Sequence, residues 1–508
     1  MNQAIWLSTF LLFLWGCRGG EPPVQPSVQT DRSVDPTGVN TEPSWVVDEE
    51  ADLDSEPSES LLSATTNASG NPKKSGGDPH TEIGMIFRPD DTRTQPDEYR
   101  LKAVGIHKYE SKRLVLYSDI DPEIARTLPP VIDQAYDSYV DYFGELPPAR
   151  SRADFQMTGY LIKDHDLFES AGLIPVELKN FNHGQHRGQE FWMHEQEYDY
   201  YRRHLLIHEA THCFMTIMPG LHPPLWYQEG MAEFFATHRM NPDGTVTFAV
   251  TPEDSRQFIG WSRIEMIQEE VAAGRTLNID QASNLGPVEF SKSRSTPYAW
   301  SWALCKFLDS HPRYQKRFRE LGNHLVGKKF FKLADSLFAE EKMLLAAEWD
   351  QFARQIDYGW DFQSNAFQLG DGKPVPDSAT FEKTFNAQRG WQSSGVLVQA
   401  NVPYTITATG TVSLAAVPKP WISEPQGITL RYANGLPIGR LQAGVLVDPA
   451  EGQEIITTPF EVKDCGKGAV VRFQNSGLLM FSINDFGSER SDNDGEYRVK
   501  VTTQASAP

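Results

Sequence analysis

Cysteine is scarce in this chain: four in 508 residues, at positions 17, 213, 305 and 465. That number and that scatter exclude a disulfide framework and a structural cysteine–zinc cluster. Cys213 and Cys305 stand in apolar helical surroundings and read as buried free thiols. Positive charge is also short. The chain sets 47 Lys and Arg against 68 Asp and Glu, a formal net charge of −21. That balance repels phosphate backbones and excludes a general nucleic-acid binder, but it leaves cations such as calcium as partners. Long apolar runs are missing too. A mean hydropathy of −0.46 argues against a polytopic membrane protein. The one marked run, AIWLSTFLLFLW at 4–15, falls short of the roughly 20 residues that span a bilayer. No internal repeat is visible.

That short run reads as the core of a signal peptide. It ends at Leu14-Trp15-Gly16-Cys17, which resembles a bacterial lipobox, with a small residue before a cysteine. The resemblance implies that residues 1–17 are a signal peptide with a lipobox and that Cys17 is lipidated. Membrane contact would then run only through the lipid anchor, and the body of the protein would lie outside the cytoplasm; plain secretion is the alternative. Residues 18–100 read as an acidic, Pro/Ser-rich disordered tether. Between 18 and 80 stand twelve acidic and four basic side chains, with too little apolar surface to offset the entropy of ordering.

Folding signals follow. Strands are expected at 112–118, 154–162 and 189–195, the first from its apolar alternation. Asp121-Pro122-Glu123 looks like a helix start, and Pro129-Pro130 must break or restart that helix. Further helices are expected at 197–218, from Leu225, and at 260–272, 297–310, 312–326 and 330–356. After about Gly370 strands recur at short intervals: GVLVQA, YTITATGTVSL, GITLRYA, AVVRFQ, LLMFSIN and EYRVKVTT. The expected organisation is an α+β domain over 101–368 and an all-β sandwich over 369–508.

The informative segment is His208-Glu209-Ala210-Thr211-His212. On a helix, positions i and i+4 share a face. Two imidazoles there can hold one zinc ion, and a Glu beside the first can reach its bound water as general base. His204 extends the stripe by one turn and reads as structural. A third ligand must come from elsewhere. Downstream, Glu229 and Glu233 are again i and i+4 on a helix. One can ligate zinc while the other orients a ligand histidine. The run His183-Gly184-Gln185-His186 could suggest a second metal site, but it reads as solvated loop histidines.

Trp226-Tyr227-Gln228-Glu229-Gly230, in which sixteen residues separate His212 from Glu229, resembles the W-x-x-E-G pattern of the gluzincin metallopeptidases. More narrowly it is similar to the peptidase-MA-like domains of bacterial surface proteins. The resemblance implies a zincin-like α+β fold, with Glu229 as third zinc ligand and Glu233 supporting the first histidine. Tyr298, in PYAWSWAL at 297–304, matches the family's tyrosine, which donates to the oxyanion. The edge strand expected in Gly184–Trp192 lacks the G-x-M-E-N motif that aminopeptidases of the group use on a free amine. That absence points to an endopeptidase.

In the last part of the chain, Ser482-Ile483-Asn484-Asp485 and Asp492-Asn493-Asp494-Gly495 concentrate hard oxygen ligands in one loop between two strands, which suits calcium. The pattern resembles the calcium-dependent galactophilic PA-I lectin-like β-sandwich. That resemblance implies Asp485, Asp492 and Asn493 as side-chain calcium ligands, with Glu489 and Leu414 ligating through backbone carbonyls. Gln426 matches a sugar-contacting position; Ser423 stands where the family has a histidine. Together these readings give an extracytoplasmic zinc peptidase acting on peptide or protein substrates, with a calcium-binding module for surface glycans. A catalytically inactive surface glycan-binding protein is the alternative.

Overall fold

The computed structural model describes residues 86–503, apart from 179–180, 219–222, 259–261, 293–294, 323–338, 375–378 and 449–457. The expected signal peptide, Cys17 and most of the tether lie outside the described residues. The described residues belong to one compact unit. The tether drawn to residue 100 runs into that unit. Arg88 is buried with a hydrogen bond to Pro147 O, and Thr94 N donates to Glu190.

The first part is built on a five-stranded sheet: β1 (His107–Glu110), β2 (Leu114–Ser118), β3 (Met157–Ile162), β4 (Gly184–Arg187) and β5 (Glu190–His194), in the order β1-β2-β3-β5-β4. β2, β3 and β5 run parallel, and β4 lies antiparallel at the edge. The alternation read in β2 is buried on both faces. Leu114 and Leu116 join the main core, while Val115 and Tyr117 join a second cluster on the other side with Tyr160 and Trp192. Helices cover both faces, so the strands read as continuous apolar runs.

The helices are α1 (Glu98–Ala103), α2 (Pro122–Ala125), α3 (Pro129–Phe143), α4 (His165–Ser170), α5 (Asp199–Ile217), α6 (Leu225–Ala236), α7 (Arg263–Ala272), α8 (Ile279–Ala282), α9 (Pro287–Lys292), α10 (Thr296–Ser310), α11 (Gln315–Gly322), α12 (Lys342–Gln355) and α13 (Phe362–Asn365). Pro129-Pro130 restart the chain as the first turn of α3, where a missing N–H costs nothing. A small hairpin, β6 (Arg239–Met240) with β7 (Val246–Thr247), follows α6.

The second part is β-rich. One sheet runs β13-β14-β17-β10-β8, with β15 also on β14; the other runs β12-β11-β18-β9, with β16 also on β11. Their ranges are β8 Lys373–Pro374, β9 Thr380–Asn386, β10 Gln392–Val398, β11 Pro403–Ser413, β12 Ile422–Ser423, β13 Gln426–Ala433, β14 Leu436–Val447, β15 Phe460–Asp464, β16 Gly468–Arg472, β17 Gly477–Ile483 and β18 Asp494–Thr503. One core is shared between the sheets, with Ile406, Leu441, Phe481 and Tyr497 fully buried in it. The sequence reading missed β14, because Pro437, Gly439 and Gly444 interrupt its apolar pattern.

The two parts meet through a further apolar cluster, in which Leu344 and Ala347 of α12 pack with Phe367, Trp391, Phe460 and Met480. Polar bonds fix the same joint. Asn365 Nδ2 donates to Gly487 O at 2.7 Å, and Arg490 Nε donates to Asn365 Oδ1 at 3.1 Å. Arg490 is buried, so Asn365→Ala strips a buried cation of a partner. The expected loss is about 1–3 kcal/mol, read by urea unfolding, with faster proteolysis between the two parts. Unchanged unfolding would show that the polar joint contributes nothing.

Candidate active site

Helix α5 is buried on almost every side, against α3, α6, β4 and β5. Such a helix is ordinarily apolar all round. This one buries His204, His208, Glu209 and His212, and each needs a partner. Helix α6 supplies them. Its Glu229 and Glu233 face α5 one turn apart, and Gly230 lets α6 press against α10: a Cβ there would come within 2.6 Å of Ser301 O. The glycine of the E-G pair is therefore a close-approach residue.

Three ligand atoms converge. His208 Nε2 and His212 Nε2 lie 3.1 Å apart, and Glu229 Oε2 lies 3.3 Å from the first and 3.2 Å from the second. Three corners of a tetrahedron with zinc bond lengths are about 3.3 Å apart. Among the described residues this is the group of His, Cys, Asp and Glu side chains close enough to share a metal ion. The donor set of two imidazoles and one carboxylate, with room for a fourth ligand, fits zinc.

Glu233 stands behind this triangle. Its Oε1 lies 3.1 Å from His208 Nδ1, and its Oε2 lies 3.1 Å from His204 Nε2. Arg263, the first residue of α7, donates to both oxygens, Nε at 2.8 Å and Nη2 at 2.6 Å. An ionised carboxylate only accepts. Glu233 therefore accepts from His208 Nδ1, which turns Nε2 of the same ring toward Glu229 and His212. This divides the two glutamates that the sequence leaves open: Glu229 faces the ring nitrogens at the centre, and Glu233 orients His208 from the far side. His204, read as structural, is part of that support. Arg263 was not found from the sequence, where it is one arginine on an amphipathic helix.

The charges do not balance. Buried Glu209 and Glu233 and part-buried Glu229 stand around one guanidinium, Arg263, which pairs with Glu233, so carboxylates outnumber it and the site favours a cation. The histidine at the centre responds to the same field. Against the burial that lowers it, the bonds to Glu229 and Glu233 push His208 up to about 10. The pocket demands a positive charge.

Glu209 and Tyr298 line a cleft of about 330 Å³ together with His208, Glu233, Arg263 and Gly184. Burial pushes Glu209 above the usual carboxylate range. Tyr298 sits in the first turn of α10, half-buried, with its ring centroid 6.1 Å from that of His208. Burial raises its phenol, so it stays protonated. The edge strand expected in Gly184–Trp192 is β4, and it runs directly past Glu209. A Cβ on Gly184 would overlap Glu209 Oε1. His186, on the same strand, stacks on His212 with centroids 4.5 Å apart. The sequence reading had left His186 as a solvated loop residue, and its place on a strand beside α5 explains the difference.

In the β-rich part, Asp485 and Asn493 are brought together. Asn493 Nδ2 donates to Asp485 Oδ2 at 2.9 Å, both residues are buried, and Asn493 Oδ1 is buried with no partner among the described residues. Burial raises the Asp485 carboxyl. Ser413 pairs with Asp494 across β11 and β18, so Leu414 comes next to Asn493. Asp492 lies in the single turn Arg490–Asp492 with its side chain exposed. The Glu489 carboxylate is taken by Arg431, consistent with only its backbone carbonyl being available. The Gln426 side chain is bonded to Glu424 at 3.2 Å, and among the described residues it makes no bond to this cluster. Asn484, in the same acidic segment, spends its amide on Ala433, Leu436 and Pro437 carbonyls.

No protein-family model matches the chain, and no curated protein matches it. Among solved structures it is similar to the N-terminal domain of EclA, described as a PllA-like lectin, at 20% identity and TM-score 0.19, over 24% of this chain and 96% of that one. It is also similar to the IMPa metallopeptidase from Pseudomonas aeruginosa, at 11% identity and TM-score 0.14, over 77% of this chain and 46% of that one. The same metallopeptidase in complex with T-antigen gives 11% and 0.13. At such TM-scores the reading rests on the geometry of the sites. Among the described residues no helix is long and apolar enough to cross a membrane.

The donor geometry predicts one zinc per folded chain, measured by metal mass spectrometry. His212→Ala and Glu229→Gln should each lose it, and Asp485→Ala should keep it. Zinc persisting in both of the first two variants would place the metal elsewhere.

Proposed function

We propose that the chain is an extracytoplasmic zinc-dependent peptidase, anchored through Cys17, that acts as an endopeptidase and carries a calcium-binding lectin-like module. The observation that carries the reading is the convergence of His208, His212 and Glu229, with His208 lining the same cleft as Glu209 and Tyr298. Zinc, when bound, would acidify a water molecule and polarise the substrate carbonyl.

The protein's own groups supply the rest. Glu209, made more basic by burial, takes the proton of the attacking water and later gives it to the leaving amine. Tyr298 keeps its phenolic proton and donates it as a hydrogen bond to the carbonyl oxygen as charge develops there. The Glu233 carboxylate holds the His208 tautomer. The exposed edge of β4 runs beside Glu209, where an extended peptide can lie along it.

Calcium is proposed at Asp485, Asp492 and Asn493, with the carbonyls of Glu489 and Leu414. The unpartnered buried Asn493 Oδ1 supports it, because a buried acceptor without a donor needs a cation or water. A surface glycan is the proposed partner of that module, with Gln426 at its edge.

Glu209→Gln should bind zinc as the wild type does and lose about 10²–10⁴-fold in peptide hydrolysis. Gly184→Ala should fold and hold zinc but cleave at least tenfold more slowly, because the added methyl displaces Glu209. A zinc-loaded wild type with no cleavage of any protein or glycoprotein in a broad substrate panel would favour the binding-protein alternative. Asp485→Ala should abolish calcium uptake in titration calorimetry; unchanged uptake would sink the calcium assignment.

A further inference from the structure

Glu233 has four donors for its four acceptor sites. Arg263 reaches one oxygen through Nε and the other through Nη2, at 2.8 and 2.6 Å. Each oxygen keeps one further lone pair, filled by His208 Nδ1 on Oε1 and His204 Nε2 on Oε2, both at 3.1 Å. A planar fork fixes both the position and the rotation of a carboxylate, which an ammonium point charge does not.

Arg263 is itself held. Ser262 caps α7 by accepting from Glu265 N at 3.1 Å, and its hydroxyl is hydrogen-bonded to Tyr358, which donates to Glu265 at 3.0 Å. The guanidinium is buried and also lies 5.9 Å from the Tyr298 ring centroid.

We infer that Arg263 is a positioning residue of the metal centre. Its bidentate grip on Glu233 fixes the carboxylate that accepts from His208 Nδ1, and so holds that imidazole with Nε2 directed at Glu229 and His212. The inference rests on the zinc reading above and adds a residue outside both ligand helices. Without the fork, Glu233 can rotate away, and the His208 ring loses the acceptor that fixes its orientation.

The test uses the full chain and zinc alone, in competition with a chromophoric chelator, for wild type, Arg263→Gln and Arg263→Lys. Cooperative melting checks folding, and the visible spectrum of the cobalt-loaded protein reports ligand geometry. Arg263→Gln should bind zinc about 10–100-fold more weakly and shift the cobalt bands. Arg263→Lys, with the charge but not the fork, should fall between. A folded Arg263→Gln with wild-type zinc affinity and cobalt spectrum overturns the inference. If Arg263→Gln does not fold, wild-type affinity in Arg263→Lys overturns it instead. A wild type that binds no zinc is a separate outcome, and it defeats the zinc reading itself.

Discussion

Uncompensated negative charge in the interior is the constraint around which the α+β part is arranged. Two buried carboxylates, Glu209 and Glu233, and part-buried Glu229 stand beside one guanidinium. Removing a carboxylate from water costs several kcal/mol even after relaxation. Apolar side chains of the same volume in α5 and α6 would give a more stable protein. A chain that keeps this cluster, and surrounds it with the aromatic core of α3, α6 and α10, accepts that cost for something other than stability. The spacing of the three ligand atoms of His208, His212 and Glu229 is that of a group able to hold a metal ion, which is the proposed reason.

Helix packing follows from the same demand. The two carboxylates of α6 must reach two turns of α5, so the helices have to lie close together. Gly230 removes the side chain that would hold α6 away from α10. Thr211, on the opposite side of α5 from the cleft, is tied to Tyr139 at 2.9 Å, and the Tyr139 hydroxyl donates to Ile207 O at 3.1 Å. The ligand helix is thus pinned from behind by α3 while its other face meets the charges. Rigid ligands of this kind need little rearrangement when the ion arrives.

Much of this was legible in the sequence, for a definite reason. His208, Glu209 and His212 lie on one helix, as do Glu229 and Glu233, so a period of 3.6 residues orders them before any tertiary contact is known. The edge strand beside Glu209 was placed within Gly184–Trp192, a span whose first half is β4 and whose second belongs to β5, while His186 was read as a loop residue. What could not be read was information carried between elements. Arg263 lies 30 residues from Glu233, and the pair exists only because α7 crosses α6's partner helix α10. The choice between Glu229 and Glu233 needed the distances to each imidazole nitrogen. β14 was hidden because its glycines and proline sit where neighbouring strands come close, and a propensity scale counts them against a strand.

The β-rich part is fastened at the same loop that gathers the cation-seeking oxygens. Gly487 O accepts from Asn365 and from Asp361 N, and Arg490, two residues before Asp492, reaches back to Asn365. Segment 357–365 therefore contacts that loop at one end and, through Tyr358, the cap of α7 at the other. Arg263 follows that cap directly. Anything that reshapes the loop must move or break buried polar bonds within the segment, because buried donors and acceptors do not lose partners freely. The loop, the joint and the support of His208 are thus connected by hydrogen bonds, and the two proposed cation sites would belong to one mechanical unit.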